Sequence, residues 1–207
     1  GIGTNTNKYA AVTSAEILEL RKALGFTAEQ KLIICTGELN NNKNQITAIR
    51  AMHQVAKVMP NAILLIAGNG PTHDSLQAAI NTLNLQSNVI LLGYRTDLDK
   101  YVKISNLILS CSKREGLPLN IIEGMLCKKP VVASANRGHK ELIQDERNGY
   151  LLSSTDVEGF SAKIIELLDD TALANAFGEE GYMLAQAYTD QAVKLELEQI
   201  YQKRQVI

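Results

Sequence analysis

The sequence is poor in the residues on which metal, disulfide and nucleic-acid chemistry depend. Its 207 residues include no tryptophan, three histidines and three cysteines, and the formal net charge is -1. The cysteine count is odd and no pair has zinc or redox spacing, so buried free thiols in a reducing compartment are expected instead of disulfides. The near-neutral charge gives no support to nucleic acid as a partner, because nucleic-acid-binding proteins favour a basic face.

Long apolar runs are missing as well. No stretch approaches the roughly 20 residues that a membrane-spanning helix needs, and the sequence contains no secretory signal pattern. We therefore expect a cytoplasmic protein. The chain begins at Gly1 without a methionine, which suggests a piece of a longer protein. The apolar fraction of 45% is ample for a buried core.

What the sequence does contain is an alternation of short apolar runs with amphipathic helical stretches. The runs have the length and continuous apolar character of buried strands. Strands that alternate with helices predict an α/β fold with a doubly wound, Rossmann-like parallel sheet covered by helices on both faces. Three helical stretches without strands follow residue 152. The predicted strands are Lys31–Gly37, Ala62–Ala67, Val89–Gly93, Leu107–Ser110, Pro130–Ser134 and Gly149–Leu152.

Short local signals mark helix boundaries. Thr13 and Glu16 form a capping-box pattern, and Gly25 supplies a helix stop. The segment Asp97–Asp99 has the spacing of a metal motif but lies at a predicted helix start, so we interpret it as a helix cap. His139 has no partner at catalytic or metal-ligand spacing. We predict no metal site.

In sheets of this kind, ligands bind beyond the carboxyl ends of the strands, near the point where the strand order reverses. The loops that follow the predicted strands are therefore the candidate site. The glycine loop that starts at Gly68 is included for its position alone. The candidate loops are Gly37–Lys43, Gly68–Pro71, Gly93–Thr96, Ser110–Pro118 and Ser134–His139.

The segment from Glu115 to Glu123 combines an anion site with two carboxylates. Pro118 suits the first position of a helix, and Gly116 lets the preceding loop turn sharply. The free N–H groups of Leu119–Ile121 would point out of the helix start, where they favour phosphate. One carboxylate on each side of that phosphate can accept hydrogen bonds from hydroxyls. This pattern matches a nucleotide sugar, which offers ribose hydroxyls, a diphosphate and sugar hydroxyls.

Lys43 is the second candidate for anion binding. It lies at or near the start of a predicted helix, where a positive charge opposes the helix dipole. A bound anion would compensate for this unfavourable placement. We therefore expect Lys43 to pair with a phosphate group of the ligand.

Filled as Glu-Gly-Leu-Pro-Leu-x-x-x-Glu, the segment Glu115–Glu123 resembles the signature of the retaining glycosyltransferases of group 1, also called family 4. Lys129–Ser134 and Asn148–Leu152 share this resemblance, which covers nearly the whole chain. It implies the C-terminal, donor-binding half of a GT-B fold, which is built from two Rossmann-like domains. The implied parts are residues 1–12, the end of the inter-domain linker; residues 13–188, the nucleotide-sugar domain; and residues 189–207, a C-terminal helix that returns to the missing N-terminal domain.

The resemblance also implies roles for individual residues. In the family, the first glutamate, here Glu115, contacts hydroxyls of the donor sugar, and the second, here Glu123, contacts the ribose. The segment of Lys43 resembles the family's diphosphate-binding segment, which makes Glu115 and Lys43 the candidate catalytic residues. The loop after the third strand corresponds to the one that holds the base. The candidate donor-binding residues are Glu123, Gly116, Leu117, Pro118, Leu119, Asn120, Gly37, Arg95, Tyr94 and Gly68.

Glu38 departs from the family pattern. Many members carry an arginine at this position, where it helps to neutralise the diphosphate, and a glutamate would repel that group. Either another cation compensates, with Arg95 and Arg114 as the candidates, or the Glu38 side chain points elsewhere.

The resemblance implies an enzyme of polysaccharide or glycoconjugate synthesis whose present part binds a nucleoside-diphosphate sugar, with uridine the expected base, and needs no cofactor. The acceptor site would lie in the missing N-terminal domain, so we expect little transfer from this part alone. Any peripheral contact with the inner face of a membrane would also involve that half. Two alternatives stay open: half of a UDP-sugar epimerase-like enzyme, which would need its own acid and base, and a non-catalytic nucleotide-binding module, which would not need both glutamates.

Overall fold

The computed structural model describes residues 7–195, which contain one six-stranded sheet with helices on both faces. Its strand pairings are all parallel, and the strand order is β3-β2-β1-β4-β5-β6. This is the order of the doubly wound dinucleotide-binding fold, so the predicted fold class is confirmed. The strands are β1 (Lys31–Thr36), β2 (Ala62–Ala67), β3 (Val89–Gly93), β4 (Leu107–Ser110), β5 (Val131–Ser134) and β6 (Gly149–Leu152).

Helices connect the strands and continue after the last one. Residues 190–195 are helical, and the remainder of the predicted C-terminal helix lies outside the described residues. The named helices are α1 (Ser14–Ala23), α2 (Gln45–Val58), α3 (His73–Thr82), α4 (Leu98–Ile104), α5 (Leu119–Leu126), α6 (Arg137–Leu142), α7 (Val157–Asp169) and α8 (Thr171–Ala185), and a 3-10 turn covers Gln186–Tyr188.

The central strands are buried on both faces, which explains why their sequences are continuously apolar. Along β1 the side chains alternate between two cores: Leu32 and Ile34 join one, and Ile33 joins the other. The core of Ile33 also takes apolar side chains from α2, α3 and α7, and that of Leu32 takes them from α4, α5 and α6. Two helical layers therefore cover both faces of the sheet and leave its carboxyl edge for binding.

The strand order reverses between β1 and β4. Successive strands proceed from β1 to β3 on one side of this point and from β4 to β6 on the other. The connections after β1 and β4 therefore leave in opposite directions and open a crevice at the carboxyl edge of the sheet. The loops with Lys43 and Glu115 follow these two strands, so the fold brings the candidate residues to one crevice.

The boundary signals of α1 are confirmed. The Thr13 hydroxyl accepts from the Glu16 N–H at 3.3 Å, and the Glu16 carboxylate accepts from the Thr13 N–H at 2.8 Å. Gly25 adopts a φ of 82° just after the helix, a conformation that favours glycine. This reciprocal cap fixes α1 directly after the predicted linker.

The predicted cap of α4 is confirmed in position, but the expected capping bond is absent. Asp97 occupies the cap position of α4 but its side chain makes no capping hydrogen bond, because Arg95 binds both of its carboxylate oxygens. Helix α6 begins at Arg137, where the Asn136 side chain caps it by accepting from the His139 N–H at 3.0 Å.

Candidate functional site

Lys43 and Glu115 meet in the crevice between β1 and β4. The Lys43 Nζ lies 2.6 Å from the Glu115 Oε1, and their side chains are only 23% and 11% exposed. Most of the surface of the pair is therefore shielded from water. The structure thus brings together the two candidate catalytic residues, which the sequence separates widely.

The loop after β1 is shaped to carry Lys43 into this position. Gly37 has a φ of 139°, and a Cβ there would lie 3.1 Å from the Lys43 Cε, so glycine leaves the space that the lysine side chain crosses. The Asn40 Oδ1 accepts from the backbone N–H groups of Asn42 and Lys43 at 3.0 and 2.9 Å. Lys43 lies just before α2, as predicted, since that helix begins at Gln45.

Asparagines join the loop after β1 to the loop after β4. The Asn42 Nδ2 donates to the Arg114 carbonyl at 3.0 Å, and the Asn42 carbonyl accepts from the Lys113 N–H at 2.8 Å. Asn44 is buried and left-handed, and its Nδ2 donates to the Cys111 carbonyl at 3.1 Å. These bonds hold Lys43 beside Glu115, and their partners are too distant in sequence for a local pattern to predict them.

The start of α5 provides a smaller anion site than predicted. Pro118 is the cap residue and not the first helical residue, and no side chain caps the helix. The Ile121 N–H donates to the Pro118 carbonyl at 3.0 Å and is therefore not free, which corrects the prediction. Within residues 7–195, the N–H groups of Leu119 and Asn120 have no hydrogen-bond acceptor. Two backbone donors thus point out of the positive end of the helix.

A cleft of about 330 Å³ lies beside this crevice. Gly68 at its floor has a φ of 148°, and a Cβ there would collide with the Gly37 carbonyl, so glycine is needed for the two loops to touch. Tyr94 is 74% exposed at the rim. The structure therefore brings Gly37, Gly68, Tyr94 and Arg95 together around one cleft. Its lining residues are Gly37, Glu38, Ala67, Gly68, Asn69, Tyr94, Arg95 and Leu98.

Glu38 and Arg95 are both engaged by their own loops. The Glu38 Oε2 accepts from the Asn40 Nδ2 at 2.9 Å, so this carboxylate points back towards the asparagine loop. Arg95 donates from Nε and Nη2 to the two carboxylate oxygens of Asp97, each at 2.9 Å, and lies 5.0 Å from the Tyr101 ring centre. The charge of Arg95 is already balanced, which argues against its acting as the replacement cation. Arg114 keeps an exposed side chain.

Glu123 lies in α5 and faces the predicted linker, not the crevice of Lys43 and Glu115. Tyr9 is only 5% exposed, and its phenol lies near enough to Glu123 to act on the pKa of that carboxyl. Burial raises the pKa of the Glu123 carboxyl, while the Tyr9 hydroxyl and Lys8 act to lower it. Residues 1–12 were predicted only as a linker, and no sequence pattern indicated that Tyr9 would be buried there.

His139 was predicted to have no catalytic or metal role, and the structure shows it completely buried. Burial lowers the pKa of its imidazole, so the ring is held neutral. Its hydrogen bonds reach Ser110 and Ser134, at the ends of β4 and β5. Sequence spacing gave no hint of this arrangement, because the partners come from separate strands.

No group of three or more histidines, cysteines and acidic residues comes close enough to hold a metal ion within residues 7–195. None of the helices in that range combines the length and apolar character that crossing a membrane requires.

Comparison with known proteins decides the family. The sequence model of the family described as "Glycosyl transferases group 1" matches residues 16–183. The chain belongs to this family. Among its relatives is EpsD of Bacillus subtilis (strain 168), provisionally named a glycosyltransferase, which is 31% identical over 97% of this chain and 53% of EpsD.

Solved structures share the fold of this chain. HepE of Anabaena, solved in complex with UDP, superposes with a TM-score of 0.87 and 26% identity over 99% of this chain and 56% of HepE. HepE in complex with UDP-glucose superposes with a TM-score of 0.86 and 25% identity. The chain spans about half the length of the relatives it matches. The likeness confirms a doubly wound domain of a GT-B glycosyltransferase fold.

Proposed function

We propose that this group 1 glycosyltransferase chain binds a UDP-sugar and forms the donor half of a retaining enzyme. The observation that carries the proposal is the Lys43–Glu115 ion pair, 2.6 Å long, in the crevice beside the uncapped start of α5. A cation, two free backbone donors and a carboxylate within one crevice suit a ligand that joins a diphosphate to a sugar.

The nucleoside would occupy the cleft beside the crevice. Tyr94, largely exposed at its rim, offers a flat aromatic surface for the base. Glu123 would take the ribose, because a carboxylate accepts hydrogen bonds from a pair of hydroxyls. The UDP-bound structures of HepE support uridine as the base.

The diphosphate would lie across the start of α5. The N–H groups of Leu119 and Asn120 and the positive end of the helix favour a phosphate there. Lys43 would supply a full positive charge and stabilise the diphosphate as it leaves the sugar. Glu38 does not oppose this arrangement, since its carboxylate is bound by Asn40.

The donor sugar would extend towards Glu115. Its carboxylate can accept from sugar hydroxyls while it stays beside Lys43, which links sugar recognition to the charge that stabilises the leaving group. Holding donor and acceptor in one geometry accounts for a large part of the rate in such transfers. Retention of configuration rests on the resemblance of the segment Glu115–Glu123 to the family signature.

The acceptor would be bound by another part of the enzyme. This chain covers 53% of EpsD and 56% of HepE, so a further domain of similar size accounts for the rest of those relatives. Leu117 and Leu119 are 43% and 36% exposed at the donor edge, where an acceptor domain would close over the sugar. Any contact of the enzyme with the inner face of a membrane would also belong to that domain.

Isothermal titration with UDP tests the proposal. Lys43→Ala should weaken UDP binding about 100-fold, the loss expected for charge-assisted bonds to a diphosphate. Lys113→Ala, which removes an exposed lysine from the neighbouring loop, is the matched control and should bind UDP like the parent. Equal affinity of the parent chain for UDP and uridine would contradict the diphosphate site.

A further inference from the structure

A buried polar cluster lies below Glu115, between the ends of β4 and β5. It consists of Ser110, Ser112, Ser134, Asn136 and His139, called the Ser/His cluster below. The three serines are at most 3% exposed and His139 is 0% exposed. Polar groups so deeply buried are retained only when each finds a partner, and here the partners are one another.

The hydrogen bonds of His139 define which nitrogen carries the proton. Its Nδ1 lies 2.6 Å from the Ser134 carbonyl oxygen, which can only accept, so Nδ1 is the donor. In the neutral ring the Nε2 must then accept, and the Ser110 hydroxyl lies 3.2 Å from it. Burial lowers the pKa of the ring and keeps it in this neutral form. The imidazole therefore links the last residue of β4 to the last residue of β5.

The same cluster holds the loop that leads to Glu115. The Ser112 carbonyl accepts from the Asn136 Nδ2 at 2.9 Å and also from the Ser134 hydroxyl. The Ser112 and Ser110 hydroxyls lie 3.3 Å apart. Ser112 is thus tied to the β5–α6 turn by its carbonyl and to the histidine through Ser110.

The start of α6 forms a floor under the Glu115–Gly116 peptide. A Cβ on Gly138 would collide with the Gly116 carbonyl and lie 2.8 Å from the Glu115 carbonyl. The backbone of Glu115 therefore rests directly on the residue next to His139. Lys43 binds the Glu115 carboxylate. A shift of the start of α6 would therefore move Glu115 relative to Lys43.

We propose that His139 is a positioning residue for donor-sugar recognition, acting through Ser110, Ser112 and Ser134 on the loop that carries Glu115. This inference rests on the proposed function. His139 is not itself a catalytic residue, because its ring is fully buried and both nitrogens are used. Its effect is expected mainly at the sugar end of the donor, since His139 acts on the loop of Glu115 while Lys43 and the cleft for the nucleoside belong to other loops.

The effect on sugar recognition is measured as the affinity ratio of UDP-glucose to UDP, obtained by titrating the full chain with each ligand. Ser110→Ala removes the hydroxyl that binds Nε2, and His139→Asn keeps a donor near Nδ1 but loses Nε2. Both variants should lower the ratio about tenfold, because they weaken the hydrogen bonds between the sugar and Glu115. The UDP affinity should stay within about twofold of the parent's. Ser161→Ala, a buried serine of α7 bonded to the Glu158 carbonyl at 2.8 Å, is the matched control and should leave the ratio unchanged.

The outcomes separate this inference from the proposed function. If the parent chain does not bind UDP, or binds UDP-glucose no more tightly than UDP, the proposed donor site itself is wrong. If the parent shows the sugar preference and both variants keep it, or lose UDP and UDP-glucose equally, His139 has only a structural role. Ser110→Ala is nearly isosteric, so it keeps the test valid should His139→Asn fail to fold, which the near-ultraviolet circular dichroism spectrum would reveal.

Discussion

The two glutamates at the ends of one motif lie in opposite electrostatic surroundings. Glu115 faces the Lys43 ammonium at 2.6 Å, while Glu123 lies beside the Tyr9 phenol in a setting whose burial raises its pKa. Glu115 lies in the loop before α5 and Glu123 lies in α5 itself. The Glu115 carboxylate has a full counter-charge, whereas the Glu123 carboxylate depends mainly on a neutral donor. The motif therefore contains two sites of different physical character.

The difference points to different tasks. A carboxylate paired with a lysine can exchange contacts when a diphosphate arrives, because the lysine then has two anionic partners. A carboxylate held by a phenol and shielded from water remains a fixed acceptor, ready for hydroxyl groups. We therefore expect Glu115 to affect the sugar and the leaving group, and Glu123 to affect the ribose alone.

The largest expected effect is that of Glu115→Gln on sugar transfer. In the enzyme with its acceptor half, we predict that transfer falls about 100-fold, since a preorganised charged contact at the reacting centre is lost. UDP affinity should stay within about twofold. Release of UDP from UDP-glucose measures the rate, and titration measures the affinity. A variant that transfers as fast as the parent would contradict the role of Glu115 in transfer.

Glu123→Gln should show the complementary pattern. UDP affinity falls about tenfold, the usual loss for hydrogen bonds to a charged acceptor, and the affinity ratio of UDP-glucose to UDP stays unchanged. The measurement compares UDP with 2'-deoxy-UDP, which lacks one ribose hydroxyl. If the variant binds UDP more weakly but still discriminates the two nucleotides as the parent does, Glu123 does not contact the 2'-hydroxyl.

The ion pair should also contribute to folding. Lys43→Met leaves the poorly exposed Glu115 without its counter-charge, and we expect a loss of about 1 kcal/mol, or roughly 2–4 °C in Tm for a domain of this size. Lys128→Met is the control, because it breaks a 2.8 Å pair with Glu179 whose side chains are 40% and 58% exposed. Exposed pairs contribute little. Equal losses in both variants would show that the crevice does not strengthen the Lys43 pair.

Sequence alone predicted the strands, the crevice and its two main residues because these depend on local patterns. Continuous apolar runs specify buried parallel strands, and their order places the loops of Lys43 and Glu115 at one edge. A glycine loop followed by Pro118 likewise specifies the start of α5, though the cap position was off by one residue. Features encoded within about ten residues of sequence could therefore be inferred.

Contacts between distant loops could not be inferred in this way. Asn42 bonds to the Arg114 carbonyl, and Ser110 bonds to His139, but neither pair has a spacing that predicts contact. Tyr9 is the plainest case, since an aromatic in a short polar segment becomes buried against α5 only once the sheet is assembled. Burial raises the pKa of Glu123 and Tyr9 acts to lower it, and both effects arise only in the folded chain, so the shifted pKa could not be inferred from sequence patterns.

The raised pKa of Glu123 gives the smallest expected effect on stability, and it distinguishes Glu123 from Glu115 most clearly. Burial raises the pKa of Glu123 above its ordinary value of 4.5, so the folded state binds its proton more tightly than the unfolded state does. Stability therefore falls as pH rises through the folded pKa, and the cost is complete at neutral pH and absent below the ordinary value. Glu123→Gln removes this cost of burying a charged carboxylate. We predict a Tm higher by about 2 °C at pH 7 and equal to the parent's near pH 4.

Tyr9→Phe should lower the Tm at pH 7, because the phenol stabilises the charged form of Glu123. A lower Tm for Glu123→Gln at pH 7 would mean that this carboxylate, like Glu115, is fully compensated by its surroundings.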